Sequence, residues 1–149
     1  MVVFHQFDCF LKMNEQPPGF NIKIPFVNFL GIKFEKVETG RVIIGIKIKE
    51  DYKNSWGSAH GGLLMTMLDV ALGSACRSLD ENCNGAITVE IKVNFLRVPG
   101  NTLKAIGNAK RLGRSLIFSE GEIYDLDHNI IAKATGTFKL TYPGKKNEN

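Results

Sequence analysis

Apolar residues alternate with other residues through RVIIGIKIKE, where Val42, Ile44, Ile46 and Ile48 share one side of an extended chain. A period of two predicts a half-buried strand. AITVEIKVNFL repeats the pattern, with Ile87, Val89, Ile91, Val93 and Phe95 predicted on one face and Thr88, Glu90, Lys92 and Asn94 on the other. Between the two lies SAHGGLLMTMLDVALGSACRS, a long apolar segment that reads as a helix over about 60–79, with Ser58 as its N-cap. A short helix or turn in IPFVNFLG and a strand at about 32–38 precede these elements, after a leading helix at 4–13 that ends at Pro17-Pro18-Gly19. Strands at about 102–111, 115–125 and 130–141 follow, and the tail 143–149 is expected to fray.

Two strands, one helix and four strands joined by short turns predict an α+β domain with a mostly antiparallel sheet. The helix is the one element long and apolar enough to cover a face of that sheet. The whole chain, 1–149, is expected to be one domain with 1–20 as an N-terminal extension. The exposed sheet edges favour association with a second copy.

Composition narrows the partners. The chain is 44% hydrophobic and 23% charged, as in ordinary globular proteins. Its formal charge of +4 arises from 19 basic and 15 acidic residues scattered without a dense cluster, which argues against nucleic acid. Cys9, Cys76 and Cys83 show no metal-ligand spacing and read as free thiols in a reducing compartment. The N-terminus does not resemble a signal peptide, and no uncharged run is long enough to span a membrane. A cytoplasmic location follows as the expectation.

One residue breaks the apolar segment. Asp69 lies between Leu68 and Val70, and its helix neighbours three and four residues away are Met65, Thr66, Leu72 and Gly73, none of them basic. Either it sits on a solvated stripe with Thr66, Arg77 and Ser78, or it faces a cleft where a poorly solvated carboxylate can act as base or nucleophile. His60-Gly61-Gly62 opens the same helix. Its first N–H groups are unpaired donors at the positive end of the dipole, suited to polarising a carbonyl, although a glycine pair is also what a tight turn needs. His60 and Asp69 are nine residues apart, ~13.5 Å along one helix axis. If both act on one carbonyl, the acid must come from a second subunit, which predicts a dimer with two equivalent interfacial sites.

N-x5-HGG-x6-D followed by TVEIKVNFLR resembles the hotdog-fold acyl-CoA thioesterases of the phenylacetate-pathway type, and the resemblance runs from about Ile24 to Thr141. It implies a sheet of about six strands wrapped around one helix, hydrolysis of acyl-CoA thioesters, and a homotetramer built as a dimer of dimers. It implies coenzyme A as part of the substrate, with no other cofactor and no metal. The Gly61 N–H would polarise the thioester carbonyl, and Asp69 of the other subunit would attack it or activate a water. Thr88 would hold that water, while Asn54 and His60 would orient the carbonyl or the leaving thiol. Met65, Leu68 and Leu72 are candidates to border the acyl pocket, and Gly62 is a further candidate substrate contact. Gly113 and Ser115 would contact pantetheine, with Arg97, Lys104, Arg111 and Arg114 available for the CoA phosphates. The motif departs from the family pattern at FLRVP, where the proline shifts to Pro99. The rival readings are a non-catalytic acyl-CoA-binding module, which would not require Asp69, and a hotdog dehydratase acting on 3-hydroxyacyl thioesters.

Overall fold

The computed structural model describes residues 23–111, 113 and 115–144, and of Arg111 the backbone alone. The predicted leading helix at 4–13 lies outside these residues. Helix α1, Pro25–Leu30, begins with proline at a position whose N–H would be unpaired anyway and stops at Gly31, whose φ of 73° closes a left-handed cap. Strands β1, Lys33–Glu38, and β2, Arg41–Lys47, form a hairpin. Glu50–Tyr52 makes one 3-10 turn before helix α2, Gly61–Arg77. Strands β3, Gly85–Phe95, β4, Thr102–Arg111, β5, Leu116–Asp125, and β6, Ile130–Thr141, complete a six-stranded sheet. Its spatial order is β1-β2-β4-β5-β6-β3, and every pairing is antiparallel.

The sheet wraps α2, which touches β2 through β6. Met67, Leu68, Ala71, Leu72, Ala75 and Cys76 are wholly buried beneath Val42, Ile44, Leu103, Ile123 and Phe138. Close approach at the centre depends on glycine. Gly107 and Gly121 face each other across β4 and β5, and a Cβ on Gly107 would fall on the Ala71 carbonyl. The bare backbone there seats the middle of α2 against the sheet and so sets the height of Asp69, half a turn away. This is the hotdog architecture that the resemblance implies.

The strand alternation is not continuous. In β3 the register slips between Thr88 and Glu90: Thr88 pairs with Phe138, and Glu90 pairs with Thr137. Val89 is the extra residue of a β-bulge, which reverses the parity of everything before it. Ile91, Val93 and Phe95 pair with Gly136, Ala134 and Ala132 on the helix side, as do Ala86 and Thr88 with Leu140 and Phe138. Ile87 and Val89 are turned outward and exposed. The predicted single apolar face therefore splits in two, and Thr88 belongs with the helix.

On the outer face of the sheet, Glu122 accepts the Tyr124 hydroxyl and pairs with Lys133 at 2.5 Å. Burial pushes the Glu122 carboxyl up, but the Lys133 and Tyr124 hydrogen bonds outweigh it and hold the group below its usual range. Burial together with the Glu122 bond and charge pushes the Tyr124 phenol up to about 12.

Candidate active site

Each part of the site is positioned by a separate local device. The first is the head of α2. Ser58 is not its cap: the helix starts at Gly61, and His60 is the N-cap, its Nδ1 accepting from the Gly62 N–H at 2.9 Å. That bond requires the tautomer with hydrogen on Nε2, so the imidazole presents a donor outward. Ser58 instead serves the preceding loop. Asn54 Oδ1 accepts from the Trp56 and Ser58 N–H groups at 3.0 and 3.2 Å, and Asn54 Nδ2 donates to Ser58 Oγ. The Asn54 carboxamide thus shapes the turn that delivers His60. The loop is anchored further by the His60 N–H on the Tyr52 carbonyl and by the Tyr52 hydroxyl on the Leu30 carbonyl.

The Gly61 N–H finds no partner among the described residues. It is the free donor at the positive end of the dipole that the sequence predicts. A side chain at Gly61 would meet the Phe95 ring at 3.6 Å, so that ring packs beside the glycine that opens the helix. Sequence reasoning placed Phe95 only in a strand; its approach to Gly61 follows from the parity after the bulge. Trp56 is 88% exposed.

Asp69 lines a cleft of about 590 Å³ between α1, α2 and β3. Thr66 and Arg77 of the polar stripe read from the sequence line the same cleft, whereas Ser78 leaves it, its hydroxyl accepting from the Gly40 N–H and donating to the Ala75 carbonyl, both at 2.8 Å. Asp69 is half-buried, and Thr88 Oγ1 donates to its Oδ1 at 2.6 Å, a charge-assisted bond that fixes the carboxylate's orientation. The bulge at Val89 makes this contact available. Met65 lines the cleft as predicted, whereas Leu68 is wholly buried against the sheet and does not line this cleft. The Asp69 carboxylate and the free Gly61 donor stand on the same helix eight residues or ~12 Å apart, too far to share one substrate atom.

The candidate cations are not brought together. Lys104 is taken out of consideration: it is buried and paired with Glu35 at 2.7 Å. Arg97 is exposed beyond the end of β3, donates to the Ile130 carbonyl at 3.0 Å, and lies close enough to Asp125 to help hold that carboxyl below its usual range, though the Asn129 and Asp127 hydrogen bonds contribute more. Gly113 and Ser115 are exposed in the β4–β5 connection, at the opposite end of the sheet. Ile130 and Lys139, which mark those two ends on β6, are nine residues or ~30 Å apart. The Arg111 side chain and Arg114 lie outside the described residues. Among the described residues, no group of three His, Cys, Asp or Glu could hold a metal ion, and no helix is long and apolar enough to cross a membrane.

Comparison with known proteins identifies the family. The family model of the thioesterase superfamily matches residues 57–132, which span the HGG turn, Asp69 and Thr88. The chain is 32% identical over 113 residues to a protein of Saccharolobus solfataricus named as a candidate esterase, covering 75% of this chain and 80% of that one. It is 25% identical over 133 residues to a medium/long-chain acyl-CoA thioesterase of Salmonella typhimurium, covering 78% and 86%. Among solved structures, a thioesterase family protein from Silicibacter pomeroyi superimposes with a TM-score of 0.74 at 29% identity, over 80% of this chain and 90% of that one. The Escherichia coli protein of the phenylacetic acid degradation operon, at 23% identity and a TM-score of 0.71 over 77% and 83%, shares the fold. With a six-stranded sheet around one helix, an acid in its cleft and a family model over half the chain, this protein belongs to the thioesterase superfamily and is an enzyme of the hotdog fold.

Proposed function

We propose that the chain hydrolyses acyl-CoA thioesters at two equivalent sites, each shared between protomers of a homodimer. The observation that carries this reading is the Asp69 carboxylate held by Thr88 at 2.6 Å in a cleft, on the same helix as a donor it cannot reach. In each site the Gly61 N–H of one protomer donates to the carbonyl oxygen, where negative charge grows as the tetrahedral intermediate forms. Asp69 of the other protomer either attacks the carbonyl carbon, forming an acyl anhydride that water then hydrolyses, or takes a proton from an attacking water; in both cases the C–S bond breaks and the departing thiolate takes up a proton to leave as CoA thiol. Thr88 keeps one carboxylate oxygen occupied, so the other is aimed at the reacting centre. His60 Nε2–H is a second donor beside Gly61.

Strand β3 supplies the dimer contact. It is an 11-residue edge strand, with Ile87, Val89 and Phe95 exposed, and a second copy of itself is the partner that satisfies it. Antiparallel β3–β3 pairing sets the Phe95 end of one protomer beside the Gly85 end of the other. Arg97 then lies at the same end as the other protomer's β4–β5 connection, where Arg111, Gly113, Arg114 and Ser115 lie in sequence. We assign the CoA phosphates and pantetheine to that combined surface. Two such dimers form the tetramer.

Release of free thiol from short-chain, long-chain and aryl CoA thioesters tests the reading. Asp69→Ala removes the attacking group. Gly61→Pro removes the donor with little structural cost, because proline suits the first helical position and the extended His60 backbone, φ −63° and ψ 138°, suits a following proline. We expect Asp69→Ala to abolish turnover and Gly61→Pro to lower kcat by about 10²–10³. Wild-type rates no greater than those of Asp69→Ala on every thioester would end the hydrolase reading.

A further inference from the structure

Trp56 is the single tryptophan of the chain and, among the described residues, its most exposed large apolar side chain. The loop that carries it is tightly closed. Lys53 and Ala59 form a β-bridge, the Asn54 N–H donates to the Ser58 carbonyl at 2.8 Å, and the Gly57 N–H donates to the Asn54 carbonyl at 3.0 Å. Gly57, with φ 76°, supplies the left-handed residue of the turn, and the Asn54 carboxamide accepts from the Trp56 N–H itself. A fixed backbone therefore holds the indole in solvent, five residues before the Gly61 donor. Two more exposed apolar side chains border that donor: the Phe95 ring packs beside Gly61, and Met65 lies one helical turn further along the same face of α2. We propose that Trp56 is a specificity-determining residue whose indole covers the apolar acyl group of a thioester with its carbonyl at Gly61. This rests on the thioesterase reading and names the part of the substrate that the loop before α2 selects.

A ring that anchored its own loop would be packed against it, whereas this one is left in water, and covering it recovers a large apolar area. Ring and donor belong to one hydrogen-bonded unit. The Asn54 carboxamide that accepts from Trp56 also accepts from the Ser58 N–H, and two residues later the His60 N–H is fixed on the Tyr52 carbonyl. The loop folds back at its bridge, so the two stand closer than the ~18 Å that five extended residues span. From a carbonyl at Gly61 the substrate runs two ways, into the acyl group and into the thiol arm. The thiol arm carries amides, which an indole face desolvates at a cost, while a hydrocarbon gains from the same contact. The acyl group is thus the half that the ring favours. Water kept out by the ring also strengthens the hydrogen bond from Gly61 to the growing oxyanion.

As the single indole, Trp56 reports its own contacts by fluorescence. The full chain is titrated with CoA and with two non-hydrolysable thioethers, S-(2-oxopropyl)-CoA and S-(2-oxooctyl)-CoA, and acrylamide quenching is read at each end point. We expect the free protein to be readily quenched, and the 2-oxooctyl ligand to shift the emission to the blue and shield the ring, with CoA and the 2-oxopropyl ligand doing neither. In the thiol-release assay Trp56→Ala should lower the octanoyl/acetyl ratio of kcat/KM by about tenfold, mainly through KM, with Trp56→Phe recovering part of it. An indole already shielded in the free protein is covered by protein, and the inference falls. Shielding by CoA alone assigns the ring to the thiol arm and overturns it equally, as does a Trp56→Ala enzyme whose ratio is unchanged. If wild type turns nothing over while 2-oxooctyl-CoA still shields the ring, the hydrolase reading fails and the contact with the acyl group stands.

Discussion

At the scale of single residues, the Thr88–Asp69 bond makes the sharpest demand. An isolated carboxylate in an apolar cleft rotates or draws water, whereas one held at 2.6 Å by a hydroxyl presents a fixed lone pair. Thr88→Val keeps the shape and deletes the bond. We expect it to lower kcat by about tenfold, with Thr88→Ser close to wild type, in the thiol-release assay. A Thr88→Val enzyme with unchanged kcat would show that the bond orients nothing. His60 has a second role open to separation from chemistry, because its Nδ1 caps α2. His60→Ala should cost about 1 kcal/mol of stability in urea denaturation, whereas His60→Asn, a good cap, should restore it without restoring a ring donor to the site.

Among the elements, β3 carries the most meaning. Its composition announces a strand and its alternation a face, and the bulge turns Ile87 and Val89 off that face while Ile91, Val93 and Phe95 stay on it. The bulge was not legible in the sequence, because Val89 differs in no local property from Ile87 or Val93; the slip is imposed by pairing with β6. The same pairing brought Thr88 to Asp69 and Phe95 to Gly61. By contrast, α2 was legible within a few residues, since 3.6-residue periodicity and flanking glycines are local signals. Its cap was misread because Ser58 is a better cap by type than His60, and the Asn54 turn claims Ser58 first. As an unpaired edge, β3 is also where association should fail. Val89→Lys places a charge on the exposed edge and should shift the protein to monomer in sedimentation, with activity lost in proportion. A fully active monomer would refute the shared site.

The whole molecule invites a test that no single protomer can pass. Asp69→Ala retains its donor and Gly61→Pro retains its acid, so a mixed dimer contains one intact site and one lacking both groups. Equal mixing under subunit exchange should recover about a quarter of wild-type activity from two inactive proteins. No recovery, with exchange verified, would place acid and donor in one chain. The outer face of the sheet gives a second expectation, for stability. The folded-state Tyr124 phenol titrates at about 12, above its ordinary value of 10.0. The group therefore contributes its full share of stability below pH 10 and loses it as pH rises towards 12, because the unfolded chain releases that proton first. Thermal unfolding followed between those pH values should fall more steeply in wild type than in Tyr124→Phe.

The sequence by itself determined the element order, the long helix, the odd acid within it and the motif that joins His60 to Thr88. Each is a local pattern or a spacing along one chain, and local backbone physics acts at that range. The same spacing argued for a second protomer, since no helix can bring positions nine residues apart onto one atom. Only the tertiary structure decided which way those groups face. It turned the polar stripe of α2 into the floor of a cleft, moved Thr88 to the helix side through a bulge, buried Leu68 and Lys104, and put Arg77 at the far end of the same cleft from Asp69. These outcomes depend on strand register and on the depth to which glycines at 107 and 121 admit the helix, and both are set by contacts between residues distant in the chain.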